Sequence, residues 1–412
     1  MRLAALTVVL LLAGCTRASG EGGGDRLVFV YQPLGSDPRP LQELIDGYAA
    51  AHPEVKLELQ LIPNASDVAH QYFLTALEGG STAFDVFVID TVWVSEFAKA
   101  GWIADLTAAF PPQRLAAEFL EGAASAVTVE GRVYAVPWYI DVGLLYYRTD
   151  LVPRAPRTYE ELRQFAREAK AKDPSLAGYA WQGRQYEGMV CNVFEAMWGH
   201  GAKVSKGAQV ELDTEAGRAG LDYLRGLITE GISPASVTSA AEEDSRRLFQ
   251  SGRAVMMRNW PYAWDEAQKE GSPIAGKVAF APLPTLSGEP GWGTLGGWQL
   301  AVNAHLPPQR RERAIALVRQ LTSEAAMLRL AQAYGRNPPR RSVYEQPEVA
   351  PFISALLPIF ERARPRPVTP YYGLMSDAIQ SEFSAAIVGV DSPATALQRL
   401  QRQLDRIAGE AP

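Results

Sequence analysis

From residue 27 the chain alternates between two kinds of hydrophobic spacing. LVFVYQ (27–32) leads into a polar, proline-broken loop, PLGSDPRP (33–40), and a helical pattern follows over 41–51. VKLELQLI (55–62) then alternates apolar and polar residues as a half-buried strand does. A second helical stretch, 70–78, runs into FDVFVID (84–90), an apolar strand that ends on an acid. The order strand, helix, strand, helix, strand predicts an α/β domain with a largely parallel sheet. Ligands of such sheets sit beyond the carboxyl ends of the strands, where Asp90 and the loop around Asp37 stand.

GRVYAVPWYIDVGLLYYR (131–148) has a proline between two apolar, aromatic-rich runs, which suits a crossing between domains better than one central strand. The helical period returns over 158–171 and 187–198, and again over 213–231, where Asp213 gives the N-cap signal and a glycine closes the element. KVAFAPLP (277–284) reads as another strand. The last third is mainly helical, broken by the proline and arginine cluster RARPRPVTPYYG (362–373), and no internal repeat recurs at a fixed period. At 412 residues and 47% hydrophobic, the chain is long enough for two domains with separate cores.

A formal charge of −6, with 40 basic residues spread along the sequence, gives no electrostatic footprint for nucleic acid, and no such partner is expected. Residues 1–14 carry Arg2, an apolar run over 3–13 and small residues before Cys15. That run is shorter than the ~20 apolar residues of a membrane span and suits a secretory signal peptide. Residues 15–25 are polar and glycine-rich, a composition that makes a flexible tether and leaves the folded part to begin near 26. Cys191 is the only cysteine after Cys15, so folding relies on the core and not on disulfides between folded residues.

GWGTLGGWQLAVN (291–303) contains GxGxxG at Gly291, Gly293 and Gly296. A dinucleotide site needs that pattern to follow a strand and open a helix, whereas here it follows a loop and runs into an alternating, strand-like QLAVN. The glycines instead suit a close backbone approach to a ligand, with Trp298 supplying an apolar face beside exposed amides. That pairing fits a sugar, which presents C–H faces together with many hydroxyls. Aromatic and acidic residues recur together on proline- or glycine-marked loops: Trp138, Tyr139 and Asp141; Trp181, Tyr186 and Glu187; Trp260, Tyr262 and Trp264. Four scattered histidines show no metal-ligand spacing, GxSxG and HExxH are absent, and no metal or cofactor is expected. A glycosidase would need two carboxyl groups flanking the bond, and Asp90, Asp141 and Glu187 keep that reading open as the alternative.

Taken in order, FDVFVID, AVPWYIDVGLLYYRTDL, WQGRQYEGMVC, RNWPYAW, VAFAPLP, TLGGW and RPRPVTPYY resemble the sugar-binding lipoproteins of ATP-binding-cassette importers, most closely the trehalose/maltose branch. The resemblance covers nearly the whole chain after the leader. Leu12-Ala13-Gly14-Cys15 resembles the bacterial lipobox, which implies a lipid on Cys15, and behind it the formal sequon Asn64-Ala65-Ser66 reads as chance. The family implies the periplasmic-binding-protein (Venus flytrap) fold: two α/β lobes joined by hinge strands, with the ligand cleft between them. The division expected is 26–138 plus 298–345 for one lobe and 139–297 plus 346–412 for the other. Carried over, the sugar contacts fall on Asp90, Tyr139, Asp141, Trp260, Tyr262, Gly296, Gly297, Trp298 and Arg366, with Asp37 in the first loop. Glu187 joins them from its aromatic cluster, and His70 stands where the family commonly brings an arginine. The function implied is non-enzymatic. A monomeric receptor outside the cytoplasm, anchored to the membrane through Cys15, captures trehalose, maltose or a similar disaccharide for a membrane permease.

Overall fold

In the computed structural model, which describes residues 26–35, 37–62, 66–206 and 209–409, the apolar runs assemble into two separate sheets. The leader, Cys15, the tether and the sequon residues Asn64 and Ala65 lie outside the described residues. The first half of the chain supplies β1 (Arg26–Tyr31), β2 (Lys56–Leu61), β3 (Val86–Asp90), a small hairpin of β4 (Thr128–Val129) and β5 (Arg132–Val133), and β6 (Ala135–Val142). Then come β7 (Leu144–Arg148), β8 (Ala177–Ala180), a second hairpin of β9 (Ser205–Lys206) and β10 (Gln209–Val210), β11 (Ala254–Asn259), β12 (Val278–Ala281) and β13 (Leu295–Val302).

The first sheet has the order β2-β1-β3-β13-β6 and the second the order β12-β7-β11-β8. In the first, β1 runs parallel to β2 and β3, while β13 is antiparallel to both its neighbours. In the second, β11 runs parallel to β8, and β7 is antiparallel to both β11 and β12. Each sheet therefore contains one strand that opposes the rest, and in each it is the strand entered from the other sheet. Strands linked through a helix within one sheet return parallel, while a strand reached by a direct crossing does not have to.

Two sequence expectations change at these crossings. Pro137 lies inside β6 and not between two elements; β6 pairs only with β13, so it is an edge strand, and a residue with no N–H is tolerated there. The expected lobe boundaries at 138/139 and 297/298 fall inside β6 and β13, while the chain changes sheet at Gly143 and just before Leu295. A third passage runs alongside, with Arg364 N donating to Gly293 O at 3.0 Å and Leu295 N to Arg364 O at 2.7 Å. Helix 213–231 also starts one residue later than its signal. Thr214 is the N-cap, accepting from Gly217 N at 3.0 Å, because Asp213 is engaged with Arg218.

One apolar cluster surrounds the first sheet, with Phe29, Phe87 and Leu300 at its centre, and helices Pro308–Leu321 and Glu324–Tyr334 pack there. A second lies on the other sheet around Trp181, Phe194 and Leu221, and takes in the C-terminal helices Tyr372–Val388 and Pro393–Gly409. A third, with Ile140, Val142, Tyr146, Met257 and Leu356, spans the junction between the sheets. Trp138 and Trp181, two of the aromatics singled out from sequence, are core residues at 1% and 0% exposure. Trp264 stacks on Phe352 at 4.9 Å.

At the junction lies a buried ion pair. Arg258 Nε and Nη2 donate to Glu195 Oε2 and Oε1 at 2.8 and 2.5 Å, and Nη1 donates to Gln182 Oε1 at 3.2 Å. Glu195 Oε1 also accepts from Thr294 N at 2.9 Å. A Cβ on Gly143 would stand 2.0 Å from Glu195 Oε1 and 2.6 Å from Arg258 Nη2, so the first crossing passes against the pair with no room for a side chain. Removing one member strands a buried charge: Glu195→Ala should cost ~3–5 kcal/mol in urea unfolding, and the double variant Glu195→Ala/Arg258→Met should recover part of that loss. A double variant no more stable than the single would contradict this.

Candidate functional site

The first sheet delivers its site residues through strand direction. β3 ends at Asp90, and because β13 runs the opposite way its amino end reaches the same edge, with Trp298 paired to Asp90 and Gly296 to Asp141 of β6. Beyond Asp90, that side of β13 has no strand partner, and Gly297 O accepts Thr91 Oγ1 at 3.1 Å. Gly297 adopts φ +121° just before the register shift between Trp298 and Gln299, and a Cβ there would lie 2.4 Å from Tyr139 O, so only glycine fits. Gly296 differs, since a Cβ would meet the Trp260 ring at an ordinary 3.4 Å.

From the second sheet, Trp260 follows the carboxyl end of β11, and Glu187 opens the helix Glu187–Gly199 after β8. Tyr146 of β7 donates to Trp260 O at 3.0 Å, Glu242 accepts the indole N–H at 3.3 Å, and the Arg258 guanidinium lies 4.0 Å from the ring centroid. The indole is therefore held from its edge, its backbone and one face. Tyr262 donates to Glu243 at 2.9 Å.

These groups line a cavity of about 720 Å³ between the two sheets, a size usual for small-molecule sites (roughly 300–1,000 Å³). The structure brings Asp37, Asp90, Tyr139, Asp141, Glu187, Trp260, Tyr262, Gly296, Gly297, Trp298 and Arg366 together around it. His70 is not in the lining. Its Nε2 pairs with Glu96 Oε2 at 3.0 Å and its ring packs on Trp93 and Phe97, so the helix Ser66–Glu78 meets the cavity through Ser66 instead. A second hollow, lined by Asp67, Val68, Gln71, Tyr72, Thr75 and Ala76, is open and draws its whole lining from that one helix.

The carboxylates divide into engaged and available ones. Arg366, 4% exposed, donates to Asp90 Oδ1 at 2.9 Å and to Glu187 Oε1 at 2.8 Å, and so joins the two sheets across the cavity floor. Glu187 also accepts from Tyr372 at 2.5 Å and from Ser376, so both its oxygens serve the protein. Asp37 is held by Arg39 at 2.6 Å. Asp90 keeps Oδ2 available, since Val92 N and Arg366 both use Oδ1. Among the described residues Asp141 accepts no hydrogen bond; burial pushes its carboxyl up to about 7, with Asp90 adding to the rise and Arg336 and Arg258 opposing it. Burial likewise keeps the Tyr139 phenol neutral, with Arg336 lying 4.8 Å over its ring.

Tyr186, singled out beside Glu187, also lines the cavity, while Arg184, Glu242, Glu243, Asp265, Tyr334 and Arg336 were not foreseen. Glu242 and Glu243 stand in the acidic first turn of the helix Glu242–Gln250, a pattern that a helix with no ligand shows as well. Tyr334 and Arg336 flank Gly335, the left-handed end of the helix Glu324–Tyr334, and nothing in the local pattern points that turn at a ligand.

Residues 33–328 match a family described as bacterial extracellular solute-binding protein. The chain belongs to that family. A probable ABC transporter-binding protein of Deinococcus radiodurans is 35% identical, over 97% of this chain and 98% of its own length. A mannitol-binding protein of Pseudomonas aeruginosa is 24% identical over 96% of each chain. Maltose-bound MalE3 of T. maritima superposes with a TM-score of 0.86 at 36% identity, covering 93% of this chain and 99% of that one. The fold is thus the α/β periplasmic-binding-protein fold, in a family of extracellular binding proteins and not of enzymes, and this sets the glycosidase reading aside.

For this solute-binding protein, Asp141 gives a pH test independent of any ligand. Its folded-state pKa of about 7 lies above the unfolded value of ~3.9, so its contribution to stability is full below the unfolded value and is lost as pH rises through about 7. Melting followed by circular dichroism should show the wild type losing more stability than Asp141→Asn between about pH 5 and about pH 8. Identical pH dependence in the two proteins would remove Asp141 as a buried titrating group.

Proposed function

We propose that this solute-binding protein captures an α-linked disaccharide, trehalose or maltose, outside the cytoplasm and presents it to the membrane permease of an ABC importer. The observation that carries the reading is one cavity holding two indoles, Trp260 and Trp298, beside carboxylate oxygens on Asp90 and Asp141 that no described protein group uses. Indole faces cover the C–H faces of a pyranose, and free carboxylate oxygens accept from its hydroxyls, so a ring that leaves water keeps its hydrogen bonds. The maltose bound by the T. maritima neighbour supports a disaccharide over a single ring. The lipobox-like stretch ending at Cys15 supports a lipid anchor, with the receptor acting as a monomer. We read the joints between the two lobes at Gly143, Thr294 and Arg364 instead of at 138/139, 297/298 and 345/346, a reading supported by the three passages lying side by side there.

Calorimetric titration with maltose, trehalose and mannitol should give heat with at least one disaccharide and release no glucose. Heat with mannitol alone would replace the disaccharide with a polyol, and glucose release would contradict a pure receptor. Trp260→Ala and Trp298→Ala should each weaken binding by ~1–3 kcal/mol, roughly 5- to 150-fold, through the loss of one aromatic face. Two variants binding like the wild type would place the ring elsewhere.

A further inference from the structure

The turn after the helix Glu324–Tyr334 brings to the cavity a guanidinium that its local sequence does not single out. Gly335 ends the helix with φ 62° and ψ 23°, and the chain then pairs with β6, where Ile140 N donates to Asn337 O at 3.0 Å. Asn337 is the neighbour of Arg336, and Ile140 stands between Tyr139 and Asp141. This one bridge therefore brings Arg336 beside both. Its guanidinium lies 4.8 Å over the Tyr139 ring, and after burial it is the group that acts most strongly on the Asp141 carboxyl. On the other side of the turn, Tyr334 donates to Asp37 O at 2.7 Å and accepts from Leu41 N at 3.1 Å, so residue 336 is held from both ends.

The guanidinium is firmly placed and only partly used. Nη2 donates to Leu34 O at 2.8 Å, Nε is buried without a partner, and Nη1 has no hydrogen-bond partner among the described residues. Of the four cations in the cavity lining, Arg366 and Lys269 are paired with carboxylates, and Arg184 is exposed over the Tyr186 ring. Arg336 forms no ion pair among the described residues, and Asp141 accepts no hydrogen bond from them. A fixed donor and a fixed acceptor, neither spent on the protein, thus stand together on the wall built by the first sheet. A hydroxyl satisfies both at once, since its hydrogen goes to a carboxylate oxygen while its oxygen accepts from an N–H.

We propose that Arg336 is a specificity-determining residue of the cavity: its Nη1 donates to the oxygen of a sugar hydroxyl whose hydrogen goes to Asp141. This rests on the receptor reading above and deepens it. A ligand without that hydroxyl leaves donor and acceptor short of their shared partner, and a site built to bond a hydroxyl rejects such an analogue more strongly than an apolar pocket rejects the loss of one methylene. The guanidinium also covers one face of the Tyr139 ring, so that face is closed to a pyranose and the stacking walls are the indoles.

Calorimetry with maltose and its monodeoxy analogues, on the wild type and on Arg336→Met, tests the contact. With the wild type, at least one analogue should bind about tenfold more weakly than maltose. Arg336→Met should weaken maltose about tenfold and shrink that analogue's deficit, because side chain and hydroxyl then no longer couple. Asp141→Asn, which keeps the shape of the carboxyl, should shrink the same deficit, and it carries the test where circular dichroism finds Arg336→Met unfolded. A folded Arg336→Met that binds maltose like the wild type, a loss equal for maltose and every analogue, or a deficit that Asp141→Asn leaves unchanged overturns the assignment and leaves the disaccharide reading standing. No heat from maltose with the wild type removes the disaccharide reading instead. Mannitol then carries the comparison: a tenfold loss in Arg336→Met keeps the assignment, while unchanged mannitol binding, or a wild type that gives no heat with either solute, overturns it.

Discussion

The Arg258–Glu195 pair is the constraint on which the rest of the structure depends. It is buried where the chain passes between the sheets, and its atoms fill the space that side chains at the crossings would take. Gly143 yields that space, Thr294 gives a backbone N–H to Glu195, and Arg364 pairs with the strand beginning next to Thr294. A buried pair of this kind is not a large net source of stability, because desolvation offsets most of the attraction. What it fixes is geometry: a charge left unpaired here is costly enough that the three passages keep their register. The same guanidinium lies under Trp260, so the joint between the halves and a wall of the cavity share one side chain.

Charge in the cavity follows a similar division of labour. Arg366 gives its two terminal nitrogens to Asp90 and Glu187, its buried Nε having no hydrogen-bond partner among the described residues, and Glu187 is engaged again by Tyr372 and Ser376. This lets a cation sit 4% exposed on the floor of a binding site without drawing an anion into it. The carboxylate oxygens left over, on Asp90 and Asp141, are acceptors without donors. A site with spare acceptors, neutral phenols and indole faces is suited to a neutral ligand rich in hydroxyl donors and poorly suited to a phosphate or a carboxylate.

Much of this was legible in the sequence because it rests on local pattern. Periods of 2 and 3.6 located the strands and helices, the acid closing FDVFVID lay at a carboxyl strand end, and the missing helix after the GxGxxG stretch excluded a nucleotide loop. Aromatic residues were the harder case. Trp138 and Trp181 have neighbours much like those of Trp260 and Trp298, yet the first two are core and the second two face the cavity. An indole's local sequence does not say which side of a sheet another sheet will cover.

The sequence by itself determined an α/β chain long enough for two cores, with no metal-ligand spacing and with aromatic and acidic residues collected on loops. Tertiary structure alone decided where the chain changes sheets, since Pro137 is acceptable inside β6 only because that strand lies at an edge. It decided that His70 turns to Glu96 and away from the cavity, because Trp93 and Phe97 offer its ring a packed site. It also decided that Glu187 is spent on Arg366 and that Asp265 meets Gly335 across 70 residues of chain. Each of these depends on which groups of distant segments arrive together, and a local hydrophobic period carries no information about that.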